Sequence, residues 1–289
     1  MVTITQRAVL GLALLVTTAC GPKQKGTYAV DAASGSANDA LVAEADALWE
    51  KRGDKESLQS ALVKYEAAYT ANPRDRHVAG RLVRGWYFLA DAHTMVKDQK
   101  LAHWDTAINW GKKCLAINDE FKAQIASGAK EADAIGAANK DDVPCLYWTA
   151  SSLGKWAKGY GIAKALKHKD TIVAYITRVG ELQPDYFYGA SDRYWGAYYS
   201  VLPSFAGQDL DLSKTHFDKS IEIAPGYLGT RVLMAENWAV KSQAKPVFLR
   251  NLKLVLEADP DAIPEIAPEN RAEQAKAKAL LEQTDDLFR

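Results

Sequence analysis

The chain has 289 residues, and its 36 basic and 36 acidic side chains give it no formal net charge. Nucleic-acid-binding proteins usually present a basic face, so this balance argues against a nucleic-acid partner. Beyond residue 20 there is no apolar run long enough to span a membrane, and the remaining length is sufficient for a sizeable core.

Residues 1–19 have the composition of a secretory signal peptide. Arg7 is the one charged residue there, and an apolar run over 8–16 follows it. Small residues then lead to Cys20, an arrangement similar to a bacterial lipobox, although Thr17 occupies the position where leucine is usual. The resemblance implies cleavage before Cys20 and lipidation of its thiol and new amine. An ordinary signal peptide with a chance cysteine is the alternative.

Residues 20–40 are mostly small and polar, and they predict a flexible tether because they have too little apolar surface to offset the entropy of ordering. We therefore expect a folded body over 41–289, held in the periplasm close to a membrane that it contacts only through its lipid. Gly21 rather than Asp follows Cys20, and in lipoproteins this favours the outer membrane.

The body reads as all-α, because apolar residues recur at helical spacing and sustained alternation is absent. Ala61, Tyr65, Ala68 and Pro73 follow the second-helix pattern of a tetratricopeptide repeat (TPR). The same spacing recurs at 213–225, and more weakly near Pro184 and Pro260. The sequence thus predicts a TPR-like helical-hairpin superhelix of about five divergent helix pairs. The charged, narrowly apolar segment from Pro268 onward predicts a C-terminal capping helix with a polar outer face.

Residues 118–144 interrupt the repeat spacing, and we expect them to form a helical excursion from the array. Cys114 and Cys145 flank this insertion. An exported chain meets an oxidising compartment, where an even pair of cysteines can form a disulfide. Two buried free thiols are the alternative.

The sequence offers no catalytic constellation. It lacks the H-E-x-x-H and G-x-S-x-G motifs and any glycine-rich phosphate loop. The five histidines are scattered, and His93 and His103 have no helical partner that would complete a zinc site. We therefore predict a protein that is not an enzyme and that has no cofactor and no metal.

Aromatic side chains are the most distinctive feature, and thirteen of them lie between Tyr147 and Phe205. Aromatic rings with a few polar groups are typical of small-ligand pockets, although rings at helical spacing more often belong to the core. We expect Trp148 to seal neighbouring repeats, and other side chains to line an inner cleft. The predicted ligand-binding residues are Trp148, Trp156, Arg193, Trp195, Tyr199 and Asn237. All of them except Trp148 are expected to line that cleft, with Lys155 as a further polar candidate and Arg193 as the group that binds a carboxylate.

Three segments carry a family resemblance: LYWTASSLGKW at 146–156, PDYFYGASDRYWGAYYSVLP at 184–203 and ALLEQTDDLF at 279–288. Together they resemble the T component (TatT) of tripartite ATP-independent periplasmic (TRAP) transporters. The resemblance implies an exported, lipid-anchored, TPR-like accessory protein. Such a protein would dock a periplasmic substrate-binding protein and hold a hydrophobic or organic-acid ligand.

Two rival functions stay open. A TPR scaffold for envelope assembly would have a concave surface lined with charges and Asn, suited to peptides. A hydrolase would need a buried carboxylate or histidine with an activated neighbour. The sequence does not fix the ligand or the oligomeric state, and a homo-oligomer is among the open alternatives.

Overall fold

The computed structural model describes residues 38–288, and this range is helical with no strand. In chain order the helices are α1 (Asn38–Trp49), α2 (Lys55–Ala71), α3 (Arg76–Ala92), α4 (Lys97–Leu115), α5 (Asp119–Ala126), α6 (Glu131–Ala134), α7 (Val143–Tyr160), α8 (Ile162–Lys167), α9 (Lys169–Leu182), α10 (Tyr186–Val201), α11 (Leu210–Ile223), α12 (Leu228–Leu233), α13 (Lys245–Glu257), α14 (Ala267–Glu282) and α15 (Thr284–Leu287). None of these helices is both long and apolar enough to cross a membrane.

The predicted signal peptide, Cys20 and the tether up to residue 37 lie outside the described residues. The boundary predicted at Leu41 falls inside the first helix, because α1 already begins at Asn38.

The helices pair as hairpins, and the all-α repeat prediction is confirmed. The pairs are α1–α2, α3–α4, α7–α9, α10–α11 and α12–α13, with α14 and α15 at the end of the array. Three of the second helices end where proline was expected to end them. The residues before those prolines, Asn72, Gln183 and Ala224, have extended φ angles of −140°, −156° and −147°. Proline disfavours the helical conformation in the residue that precedes it.

Close approach of packed helices, both within a hairpin and between neighbouring hairpins, depends on small residues, as the repeat pattern predicted. A Cβ added at Gly196 of α10 would lie 2.7 Å from the ring of Phe217 on α11, and one at Gly85 would lie 2.7 Å from Leu62. Phe217 and Leu62 are buried. A larger residue at either glycine would push the neighbouring helix away.

The insertion 118–144 is folded against the array. Phe121 and Ile135 are buried in the main hydrophobic core. Asp142 is fully buried and accepts hydrogen bonds from the Asn118 amide at 2.7 Å and from the Asn139 backbone N–H at 3.0 Å, and it pairs with Arg76.

A disulfide joins the two ends of this segment. Cys114 at the end of α4 is bonded to Cys145 at the start of α7, with Cα atoms 5.7 Å apart. The bond ties two neighbouring hairpins together at the base of the insertion.

Helix α14 packs in two directions. Ala277, Leu280 and Leu281 cover the core of the last hairpin, as expected of a capping helix. The other side of α14 lies against the first two hairpins, where Glu269 pairs with Arg52 at 2.8 Å and with Arg84 at 2.6 Å.

The expected polar outer face of this helix is present, because Arg271, Lys278 and Glu282 are exposed, but other charged side chains of the same helix face the interior. Glu269 is buried, and Glu273 and Lys276 line an interior cavity. The reason is that basic and acidic partners on α1–α3 neutralise these charges, a pairing between distant segments that helical periodicity alone does not reveal.

Loss of the disulfide is expected to destabilise the protein. Replacing Cys114 and Cys145 by serine frees a loop of 31 residues in the unfolded chain, which should lower the free energy of unfolding by about 3 to 4 kcal/mol on the chain-entropy account. Urea unfolding followed by circular dichroism measures this. Reducing agent should have no effect on the double variant, and equal stability of the variant and the parent would contradict the prediction.

The ion pairs of Glu269 are expected to stabilise the fold. Glu269→Gln should lower the free energy of unfolding by about 3 kcal/mol, since it leaves Arg52 buried without its charged partner. The exposed pair of Arg271 and Asp261 is the control, and Arg271→Ala should cost at most about 1 kcal/mol.

The ion pairs of Glu269 also predict that the stability of the fold depends on pH. Burial acts to raise the pKa of Glu269, but Arg84 and Arg52 lower it by more, so the net pKa lies below the usual 4.5. Its contribution is fully present above pH 4.5 and is lost as pH falls through the folded pKa. Below pH 4.5, the free energy of unfolding of the Glu269→Gln variant should therefore fall less steeply with decreasing pH than that of the parent. Parallel curves of this free energy against pH for the two proteins would contradict the prediction.

Candidate functional site

Two adjoining cavities lie between the hairpins. The larger, which we call the cleft, has a volume of about 310 Å³, and the smaller, which we call the chamber, has a volume of about 60 Å³. Side chains common to both form what we call the neck. The neck residues are Tyr87, Tyr147, Lys155, Arg193, Leu233 and Glu236.

The cleft is mainly apolar. It is bounded by α7, α8, α9, α10 and the helical turn after α12, and its volume is within the range of small-molecule sites. The apolar and aromatic lining consists of Ile162, Ala165, Ile172, Tyr194, Ala197, Tyr198, Val201 and Leu202, with the neck residues Tyr87, Tyr147 and Leu233. Such a surface can bury the hydrocarbon part of a ligand.

The chamber, in contrast, is lined by charged groups that neutralise one another. Asp91 on α3 pairs with Lys155 at 3.0 Å and with Lys276, and Lys276 also pairs with Glu273 at 2.7 Å. Burial acts to raise the pKa of Asp91, but Lys155 and Lys276 outweigh it and hold that pKa well below its usual value. The carboxylate therefore stays ionised at neutral pH.

Arg193 occupies the neck and is fixed by protein groups. Its Nη1 donates to the carbonyl of Tyr188 at 2.9 Å, and its Nη2 donates to the carbonyl of Phe187 at 3.1 Å and to the hydroxyl of Tyr147 at 3.0 Å. The guanidinium also lies 4.2 Å from the ring centroid of Tyr227. The bidentate carboxylate role expected of Arg193 conflicts with this geometry, because these contacts already engage both terminal nitrogens.

The carbonyls that Arg193 holds belong to a strained turn. Phe187 and Tyr188 have φ angles of 41° and 61°, and Gly189 follows at 71°. Left-handed backbone is costly for bulky residues and persists only where surrounding contacts enforce it. Arg193 is one such contact, so its first role is to shape the wall of the neck.

Asn237 lines the cleft, and an irregular helix places it there. Residues Met234–Ala239 form a π-helical turn, a feature often found at functional sites. The amide of Asn237 donates to the carbonyl of Leu233 at 3.0 Å, and its Oδ1 accepts from the Lys158 ammonium at 3.3 Å. The turn therefore positions Lys158 at the edge of the cleft.

Trp148 lies between neighbouring hairpins. It is buried in the main core, contacts the rings of Tyr87 and Phe187, and one part of it faces the chamber. Lys155 lies at the neck, on the face of α7 that the cleft exposes.

Trp156 is placed outside the cleft. Successive residues of a helix are about 100° apart, so Trp156 points away from the face that carries Lys155. It packs against Leu101 and Trp104, and its ring lies 4.9 Å from that of Tyr160.

Trp195 and Tyr199 are also placed elsewhere. Their rings stack on one another at 5.8 Å, and Tyr199 stacks on His216 of α11 at 5.9 Å. The neighbouring i, i+4 pair, Tyr194 and Tyr198, lines the cleft instead. The two pairs have the same i, i+4 spacing. The position of α11 decides which of them is covered by α11 and which faces the cleft.

Several cavity residues were missed from the sequence. Lys158 could have been found, because it follows Lys155 on one face of α7. Asp91 and Lys276 could not, because 185 residues separate them. Among the residues that the structure describes, no cluster of His, Cys, Asp and Glu side chains is suited to a metal.

Residues 55–288 match the family model described as TRAP transporter T-component. No curated protein matches the chain at a significant level. The matched range contains both cavities and almost the whole repeat array, and the chain therefore belongs to the TRAP transporter T-component family.

Proposed function

We propose that this protein is a ligand-holding accessory lipoprotein of a TRAP-type uptake system. Family membership makes it a component of such a system. The observation that carries the finer proposal is the apolar cleft of about 310 Å³, large enough to enclose the hydrocarbon part of a small molecule. Buried apolar surface contributes roughly 25 cal/mol per Å², so the cleft alone can provide useful affinity.

The proposed mechanism is binding without chemical change. The ionised groups of the chamber are engaged by one another, and Arg193 is engaged by carbonyls and a tyrosine hydroxyl. An acid–base catalyst needs a free group near a reacting atom. This arrangement therefore favours a carrier over a hydrolase.

A peptide-binding scaffold is less well supported. That function called for a broad concave surface lined with charges and Asn. The charged part of the interior is the chamber, whose volume of about 60 Å³ has room for a few water molecules rather than a peptide.

We place the docking of a periplasmic substrate-binding protein at the open side of the cleft. Ile162 lines the cleft and is 50% exposed, and Tyr160 is 60% exposed close by in the chain. Phe205, which is 81% exposed, follows Leu202 of the cleft wall. The Lys169 ammonium donates to the carbonyl of Ala206 at 3.4 Å, which holds this segment against α9. Exposed apolar residues at the opening of a ligand site suit a protein that receives or delivers the ligand.

The proposal also includes attachment to the periplasmic side of a membrane, with the outer membrane favoured, through lipid on Cys20. The basis is the sequence around Cys20, which lies outside the described residues. Mass spectrometry of the membrane-extracted protein would identify the lipid, and native mass spectrometry would count subunits and so test for a homo-oligomer.

Blocking the cleft should abolish ligand binding. Ala197→Trp inserts an indole into the cleft and should weaken decanoate binding at least tenfold in isothermal titration calorimetry. Ala102→Trp on the exposed side of α4 is the matched control and should bind as the parent does.

Ligand length gives a second measure of the same site. Octanoate should bind the parent protein roughly fourfold more weakly for each methylene that it lacks relative to decanoate. Equal binding by the Ala197→Trp variant, or no dependence on chain length, would contradict a role for the cleft.

Docking should depend on the exposed residues near the cleft. Phe205→Asp should weaken association with the substrate-binding protein of the same transport system at least tenfold, measured by biolayer interferometry. Val63→Asp, at a residue of α2 that is 68% exposed, makes the same chemical change away from the cleft. If both variants bind like the parent, or both lose binding equally, docking does not use this surface.

A further inference from the structure

The charges that line the cleft are unbalanced. Its basic residues are Lys155, Lys158, Lys169 and Arg193, and Glu236 is its acidic residue. The chamber, by comparison, is lined by equal numbers of acidic and basic side chains. A mainly apolar site with excess positive charge favours a ligand that carries negative charge.

Among the residues that the structure describes, three of these cations have only neutral hydrogen-bond partners, and two of the three are lysines. Lys155 is paired with Asp91, and Arg193 is bonded to carbonyls and a hydroxyl. Lys158 donates to the amide oxygen of Asn237 at 3.3 Å, and Lys169 donates to the carbonyl of Ala206 at 3.4 Å. Neither lysine has an ion pair among residues 38–288.

The positions of these two lysines define one end of the cleft. Lys158 lies near the end of α7 and Lys169 begins α9, so they bracket the short helix α8, whose Ile162 is exposed to solvent. The neck is the other end, and its charges balance: Asp91 pairs with Lys155, and Glu236 offsets the charge of Arg193. The electrostatic potential is therefore more favourable to an anion beside α8 than at the neck.

The side chains that line the cleft also differ between the end beside α8 and the neck. The rings of Tyr87 and Tyr147 form part of the neck. Long lysine side chains commonly place their ammonium groups where an apolar site meets water. The cleft thus has a cationic, hydrated end and an aromatic inner end.

We propose that the cleft takes an amphipathic monocarboxylate, with its carboxylate bound by Lys158 and Lys169 beside α8 and its hydrocarbon chain directed toward the neck. This inference rests on the proposed function and adds the head-group residues and the orientation. Asn237 is a positioning residue, because it holds Lys158 at the edge of the cleft. Arg193, the residue that the sequence favoured for this role, shapes the wall.

The test compares three ligands with the same chain and different head groups: decanoate, decanol and decyltrimethylammonium. Calorimetry on the full-length protein should show decanoate binding at least tenfold more tightly than decanol, and the cation binding most weakly. Raising the salt concentration should weaken decanoate binding but leave decanol binding unchanged.

The variants identify the head-group residues. Lys158→Met with Lys169→Met should reduce decanoate binding to the level of decanol, while decanol binding changes less than threefold. Lys164→Met with Lys167→Met is the matched control, because it removes the same charge from α8 at positions that do not line the cleft. The control should keep the full preference for decanoate.

The outcomes separate the two proposals. If neither decanoate nor decanol binds the parent protein, the proposed ligand-holding function is wrong. If decanol binds as tightly as decanoate, or if the Lys158 and Lys169 variant keeps the preference, the cleft holds a ligand but the head-group assignment is wrong. Retained circular dichroism of each variant excludes loss of fold as the reason.

Discussion

The structure depends on one buried carboxylate. Glu269 at the start of α14 lies between Arg52, which follows α1, and Arg84 of α3, and both Arg52 and Glu269 are almost inaccessible to solvent. A buried charge is very costly unless it is paired and hydrogen-bonded. Arg52 meets this condition with both carboxylate oxygens of Glu269 and with the carbonyls of Trp49 and Glu265. Because that pairing is specific, the C-terminal helix has one favourable position, against the N-terminal hairpins.

This contact changes what a helical-repeat array can do. Hairpins that contact only their neighbours form an open curved surface. Here α14 joins the end of the array to its beginning, and the space between them becomes the chamber, whose walls include Asp91 of α3 and Lys276 of α14. The same closure leaves the cleft on the side of α8, where no long helix covers it. A closed charged interior next to an open apolar site is the arrangement on which the proposed ligand binding rests.

The sequence predicted the local parts of this structure better than the long-range parts. Proline positions and helical spacing predicted the hairpins, since both act within a few residues, and small residues such as Gly196 predicted close helix contacts. Asn237 and Lys155 lie at the cavities. Trp195 does not, because Tyr194 and Tyr198 share its spacing and tertiary packing selects between the two pairs. The sequence indicated that the charged residues of α14 are solvated. It did not reveal that Glu269 and Lys276 are turned inward, since their partners in the first two hairpins are far away in the chain.

A designed disulfide tests the closure most directly. A Cβ added at Gly53 would lie 3.6 Å from the Cβ of Pro268 at the start of α14, a separation that suits a disulfide. The variant Gly53→Cys with Pro268→Cys should form that bond spontaneously in air, and non-reducing digestion with mass spectrometry should recover the linked peptides in most molecules. The control pairs Pro268→Cys with Gly136→Cys, where an added Cβ meets nothing within 4 Å, and should stay unlinked. Free thiols at 53 and 268 in a folded variant would contradict the contact between α14 and the first hairpin, and with it the closed interior.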